Sequence, residues 1–300
     1  MEYAQAKQLL TPTRPSMDEF FYSDWNMNLY RGCSHGCIYC DSRSPCYHLD
    51  RFDAIRPKAN ALALLERELR GKRRTGIVSM GSMSDPYIPL EKELCYTRSA
   101  LELIRRYRFG ATLITKSDLV LRDLDLLQEI HRQTRAVVQM TLTTWDDALC
   151  KIVEPGVCLT SRRFQVLKEF QKAGIPTVVW LTPILPYIND TRANLQALLE
   201  CCVDAGVRGV LWFGAGVTLR DGNREYFYQQ LDRQFPGMKE QYRKEFGNSY
   251  VAASRNDRQL SAMVKDTCGR YGILSEPDRV FAELQRFEEK EGGEQLSFLL

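Results

Sequence analysis

Between residues 25 and 213 the chain alternates short apolar runs with longer amphipathic stretches, and this alternation limits its fold more than any other feature. The apolar runs, at 25–30, 76–80, 111–115, 136–142, 177–181 and 209–213, have the length and β-branched content of buried strands. Between them, 61–70, 94–107, 122–133, 161–173 and 193–205 carry apolar residues at helical spacing. The sequences at 173–176 and 205–206 read as helix stops followed by a strand. Strands alternating with helices predict a parallel sheet with right-handed crossovers. Six units fall short of a full eight-stranded barrel, so the expected architecture is a partial, opened (β/α)6 barrel.

The expected domain organisation is an N-terminal segment over 1–24, the barrel over 25–220, a helical extension over 221–290 and a flexible tail over 291–300. Helices are expected at 223–235, 238–246, 258–271 and 279–289, packed on the side or bottom of the barrel. Of the 300 residues, 44% are hydrophobic, ample for a core. Forty-one Lys and Arg against 38 Asp and Glu leave a net charge of +3, which neither predicts nor excludes a nucleic-acid partner. No apolar run approaches membrane-spanning length, and residues 1–15 hold no apolar signal segment. The expectation is a cytoplasmic protein whose ten cysteines stay reduced.

Functional sites in parallel sheets gather at the C-terminal ends of the strands. The first strand is followed by Cys33, Cys37 and Cys40, spaced CxxxCxxC with Tyr39 before the third. Three thiolates can bind three irons of a [4Fe–4S] cube and leave the fourth without a protein ligand. An open metal position is a place for chemistry rather than for structure alone. Two other readings remain open: a chance cluster, or a zinc site with Cys46, His35 or His48 as fourth ligand. The other strand ends supply Gly81–Asp85, Lys116, Thr141–Thr144, Thr182-Pro183 and Gly214–Gly216. Small, hydroxyl-bearing and cationic residues thus collect on one rim, as a charged polar cofactor requires.

Lys116 is a candidate for a cofactor carboxylate, or a solvated rim lysine. Ser82, Ser84, Thr141 and Thr143 are candidates for an amino group, carboxylate or ribose, or strand-end caps and turn residues. Asp85 before Pro86 is a turn starter by the same reading. The basic run 70–74 lies on the face opposite the rim and reads as a solvated loop. Tyr22, Tyr30, Tyr87 and Tyr187 are candidate cavity residues or packing residues.

The CxxxCxxC run is the mark of the radical S-adenosylmethionine (radical SAM) superfamily, and the chain resembles its spore photoproduct lyase-like branch. The resemblance rests on residues 28–40, Gly81–Asp85, residues 114–117, 121–127, Thr141–Thr144, 159–163 and 173–176, then Pro183, Pro186 and Asn189-Asp190. It implies that Cys33, Cys37 and Cys40 hold a [4Fe–4S] cluster whose open iron is chelated by S-adenosylmethionine. One electron then gives methionine and a 5′-deoxyadenosyl radical, which abstracts hydrogen from a substrate. It implies Tyr39 beside the adenine, Lys116 and Thr141 at the methionine or ribose part, and Ser82 close by. It implies an external electron donor of flavodoxin or ferredoxin type, and a nucleic-acid lesion or base as substrate, with a peptide or small metabolite as the alternative. A third reading is a zinc- or cluster-bearing nucleic-acid-binding protein without catalysis.

Two positions depart from the lyase. Ser82 stands where the lyase has its hydrogen-donor cysteine, and Asp41 where it has a tyrosine. A serine O–H bond is too strong to replace a thiol as hydrogen donor, so thiol-dependent repair is not expected. The tail Gln295–Leu300 resembles peptides that dock into bacterial sliding clamps, or is an apolar end folding back on the core.

Overall fold

A computed structural model describes residues 1–13, 23–49 and 51–289. Six parallel strands, Trp25–Met27, Ile77–Met80, Gly110–Thr115, Ala136–Thr141, Thr177–Trp180 and Gly209–Leu211, lie side by side in chain order. The antiparallel pair Thr11–Pro12 extends the first edge. An order that never reverses puts every crossover helix on one face and curls the other face inward. The first and sixth strands do not pair, so the barrel is open.

Strand parity assigns the two faces. Val78, Met80, Ala111, Leu113, Val138, Met140, Val179 and Val210 join the main core with the crossover helices. In the helix Thr160–Lys172, for example, Thr160, Arg163, Val166, Leu167 and Phe170 are buried, one face at helical spacing. The concave face is different. Near its bottom, Val137, Val178 and Leu211 pack on Val280, Phe281 and Leu284 of the C-terminal helix Pro277–Gln285, which plugs the opening. Arg135 bonds Glu283 there. Above the plug a polar ladder crosses three strands. Gln139 Nε2 donates to Thr112 Oγ1 at 2.8 Å, and Trp180 Nε1 donates to Gln139 Oε1 at 2.7 Å.

Several elements differ from expectation. The first run ends as a barrel strand at Met27. Tyr30 and Arg31 leave the sheet to pair with Arg56 and Pro57, because the chain must turn over the barrel mouth. The extension is not wholly helical: Val251–Ala253 pairs with Gly216–Thr218 and bonds the extension to the segment after the sixth strand. The helix Asp147–Val153 was not anticipated. Asp146 caps it, accepting from the N–H groups of Ala148 and Leu149. The helix stops hold, with Gly174 and Gly206 at φ 73° and 57°. Tyr22 and the tail Gln295–Leu300 lie outside the described residues.

Phe281 is 3% exposed and touches Trp180 edge-on at 6.4 Å. Phe281→Ala is expected to cost about 3–5 kcal/mol of unfolding free energy, measured by denaturant titration of the metal-free protein.

Candidate functional site: the cysteine loop and its cavity

The loop after the first strand is fixed before any ligand is considered. Gly32 has φ +86°, and a Cβ there would stand 2.3 Å from Phe52 O. Ser84 Oγ donates to Gly32 O at 2.5 Å, and Cys33 N donates to Phe52 O at 3.1 Å. Further along, Ile38 N donates to Val153 O at 3.0 Å and Gly156 N to His35 O at 2.8 Å.

Two buried carboxylates hold the loop from opposite sides. Asp85 Oδ1 accepts from Tyr87 N and Thr115 Oγ1, both at 2.8 Å. Its Oδ2 accepts from Lys116 N at 2.8 Å and contacts His35 Nε2 at 3.0 Å. Burial alone would raise the Asp85 pKa; His35 and these N–H donors outweigh it and hold the carboxyl below its ordinary value. Glu154, 1% exposed, accepts from Tyr39 Oη on one oxygen and from Arg163 Nη2 on the other. Arg163, fully buried, also donates to Thr141 O at 2.7 Å and to Cys158 O at 3.1 Å. Burial would raise the Glu154 pKa; Arg163 and Lys116 hold it below the usual carboxylate range.

Cys33 and Cys37 are buried and Cys40 is partly so. Burial pushes the Cys33 thiol up to about 11 and the Cys37 thiol higher still, although N–H groups of Asp85 and His35 are aimed at the Cys33 sulfur. Such thiols ionise readily only with a cationic centre beside them, which iron supplies on ligation. The donor set therefore fits a cluster. The zinc alternative lacks its fourth ligand. Both ring nitrogens of His35 are engaged, Nδ1 with Gly156 O at 3.0 Å and Nε2 with Asp85. Cys46 and His48 are exposed, and Cys46 Sγ faces Arg220 Nη1 at 3.7 Å. Among the described residues, no three of His, Cys, Asp and Glu converge to hold one ion. A four-iron cube spreads its thiolates over a wider body than a zinc with Zn–S near 2.3 Å.

The loop borders a cavity of about 450 Å³ at the C-terminal ends of the strands. Tyr39, Cys40, Ser82, Lys116 and Thr141 are in its wall, as are Trp180, Phe213, Val251 and Asp257. Lys116 Nζ lies 5.8 Å from the Tyr39 ring centroid. Burial would lower the lysine pKa, but Cys37 and Glu154 beside it raise it, so the ammonium stays charged. Asp41 also lines this cavity, and its carboxylate reaches the extension, accepting from Tyr47 Oη at 2.7 Å and pairing with Arg220 Nε at 3.1 Å.

Of the candidates read from sequence, Tyr39, Ser82, Lys116 and Thr141 thus meet at one cavity. Ser84 and Thr143 are not in its wall. The Ser84 hydroxyl is spent on Gly32 O, and Thr143 is fully buried beyond the strand end, its carbonyl accepting from Asn189 Nδ2 at 2.7 Å. Asp85 is more than a turn starter. Tyr30 and Tyr187 bond Glu91 and Glu245, and Tyr87 is 1% exposed, so these three are packing residues. Sequence reasoning missed Glu154 and Asp257. Neither sits in a recognisable spacing, since each reaches the site through the fold.

A family model described as the radical SAM superfamily matches residues 27–199. An uncharacterised protein of Mycobacterium tuberculosis is 31% identical over 227 residues, 73% of this chain and 66% of its own. The chain therefore spans just under two thirds of that relative's length. An uncharacterised protein of Methanocaldococcus jannaschii is 31% identical over 191 residues, 63% of this chain and 69% of its own. Among solved structures, spore photoproduct lyase complexed with dinucleoside spore photoproduct superposes with a TM-score of 0.64. That match covers 91% of this chain and 80% of the lyase at 15% identity, a likeness of fold. The chain belongs to the radical SAM superfamily. Its cofactors are accordingly a [4Fe–4S] cluster and S-adenosylmethionine.

Gly156 offers a direct check on the loop. A Cβ there would stand 2.7 Å from His35 O and 2.8 Å from His35 Cα, both backbone atoms. Gly156→Ala is expected to fold and yet to bind fewer than the roughly four irons per chain of the parent, measured by iron and sulfide content after anaerobic reconstitution. Cys46→Ala is expected to load as the parent does.

Proposed function

We propose that this protein is a radical SAM enzyme that abstracts hydrogen from a nucleic-acid lesion or base. The observation that carries the proposal is the meeting of the cysteine loop, the Lys116 ammonium and Tyr39 at one cavity. The bound cluster and S-adenosylmethionine would supply the chemistry: one-electron cleavage of the sulfonium to methionine and a 5′-deoxyadenosyl radical. The chain's own part is to bind, orient and shield.

In this reading Cys33, Cys37 and Cys40 ligate three irons. Lys116 offers a charge-assisted hydrogen bond to the cofactor carboxylate. Tyr39 flanks the adenine, while Thr141 and Ser82 stand at the ribose and methionine parts. The Asn26 Nδ2 bond to Ser82 Oγ, at 2.8 Å, orients that hydroxyl. Trp180 and Phe213, with ring centroids 5.9 Å apart and planes tilted by 47°, give the cavity wall two aromatic rings on which a planar ring can stack. Support for a nucleobase comes from this wall and from the fold shared with a lyase whose solved complex holds a dinucleoside lesion. Ser82 supplies no thiol, so the completing hydrogen atom comes from elsewhere than this position. A flavodoxin- or ferredoxin-type donor and a cytoplasmic setting belong to the same proposal. The 25–220 barrel would carry the chemistry, with residues 221–290 closing the cavity.

Reduced, reconstituted protein is expected to yield methionine and 5′-deoxyadenosine from S-adenosylmethionine, read by chromatography. No 5′-deoxyadenosine from fully loaded protein would remove the proposal. Lys116→Ala is expected to retain its iron and to bind S-adenosylmethionine about tenfold to a hundredfold more weakly, the loss of a charged hydrogen bond worth roughly 1.5–3 kcal/mol. Unchanged affinity would return Lys116 to the role of a rim lysine. Deuterium carried from a labelled oligonucleotide into 5′-deoxyadenosine would identify the substrate class.

A further inference from the structure

Glu154 is a buried carboxylate on no rim, in no motif, and within reach of two parts of the cofactor site. Its two oxygens are divided: Tyr39 Oη donates to one and Arg163 Nη2 to the other. Both Glu154 and Arg163 side chains are fully buried. Arg163 spends its remaining donors on Thr141 O, Cys158 O and, at 3.0 Å, Cys150 Sγ. One guanidinium therefore ties the end of the fourth strand to the carboxylate, and the carboxylate ties that unit to the residue just before the third cysteine. Isolated buried pairs are a poor source of stability, because desolvation offsets their attraction. A pair this completely bonded needs another account.

We propose that Glu154, held by Arg163, is a positioning residue for the cofactor site, fixing the Tyr39 ring and placing a compensated charge pair beside Cys37. The proposal rests on the radical SAM reading above and deepens it. Tyr39 has a rigid ring with two soft torsions, and anchoring its hydroxyl fixes both. The ring then presents a constant face to the cavity and to Lys116 Nζ. The turn from Cys37 to Cys40 is fixed with it, because Ile38 N bonds Val153 O next to Glu154. Electrostatically the pair is neutral as a unit. Removal of either charge alone leaves the other in a low-dielectric interior near the cluster sulfurs, where it acts at full strength.

The test uses three full-length variants, Glu154→Gln, Arg163→Lys and Tyr39→Phe, each reconstituted anaerobically. Iron content, redox titration followed by electron paramagnetic resonance, and the spectral change on adding S-adenosylmethionine are the readouts. Glu154→Gln is expected to reduce at a less negative potential, because the Arg163 cation is left uncompensated. Arg163→Lys keeps the charge and is expected to keep the parent potential. Tyr39→Phe changes no charge; it is expected to keep the parent potential and to bind S-adenosylmethionine roughly fivefold more weakly. A merely structural role would not produce this separation of potential from affinity. Parent potential in fully loaded Glu154→Gln would overturn the electrostatic half, and parent affinity in Tyr39→Phe the positioning half. If Glu154→Gln fails to load, the Tyr39→Phe affinity still decides the positioning half, and a shifted potential in loaded Arg163→Lys overturns the electrostatic half. Absence of any spectral response to S-adenosylmethionine in the parent would remove the radical SAM reading instead, a distinguishable failure.

Discussion

The site depends first on the carboxylate of Asp85. It gathers the turn N–H of Tyr87, the hydroxyl of Thr115, the N–H of Lys116 and the ring of His35. These groups come from three different segments: the cysteine loop, the turn after the second strand and the end of the third. A hydrogen bond to a charged group contributes roughly 1.5–3 kcal/mol, about twice a neutral one. Three such bonds, together with the His35 contact, offset the burial of the carboxylate and hold it below its ordinary pKa. The loop that carries Cys33 and Cys37 is thereby joined to the strand that carries Lys116, so thiols and ammonium keep a fixed relation before any cofactor arrives. Such preorganisation suits a site that must receive a charged group without rearranging.

The rest of the barrel shapes the space in front of that site. The helix Pro277–Gln285 fills the bottom of the concave face, and the Thr112–Gln139–Trp180 ladder satisfies the polar groups above it. The cavity is left at the mouth. There the strand pair Gly216–Thr218 and Val251–Ala253 supplies part of the wall, its Val217 and Ala252 in one cluster with Cys37, Ile38 and Tyr39. Asp41, through Arg220 and Tyr47, joins the cysteine loop to that same extension. The extension is thus part of the site, although the sequence pattern suggested only helices packed outside it.

What could be read in advance follows from what is local. The six strands and five crossover helices declare themselves by periodicity, and the cysteine spacing by chemistry. Lys116 and Thr141 were legible because a parallel sheet sends the C-terminal ends of its strands to one rim. Ser84 and Thr143 follow the same strand ends without entering the cavity wall, because hydroxyls there serve caps and braces as readily as ligands, as the Ser84 bond to the Gly32 carbonyl shows. Glu154 and Asp257 were invisible. Glu154 lies 115 positions from the tyrosine it anchors, and Asp257 joins the cavity wall from the extension. A pairing created by tertiary packing leaves no period in the chain. The short strand Val251–Ala253 was missed for the same reason: it is strand only because it finds a partner.

The central claim is that three cysteines hold a four-iron cluster with one iron free to take S-adenosylmethionine beside Lys116. Mössbauer spectroscopy of iron-reconstituted protein, before and after the cofactor is added, tests it most directly. The account predicts that one iron of the four changes its coordination signature on addition while three stay as they were. Four irons unchanged by the cofactor, or a spectrum that Cys46→Ala alters as strongly as Cys37→Ala, would contradict it.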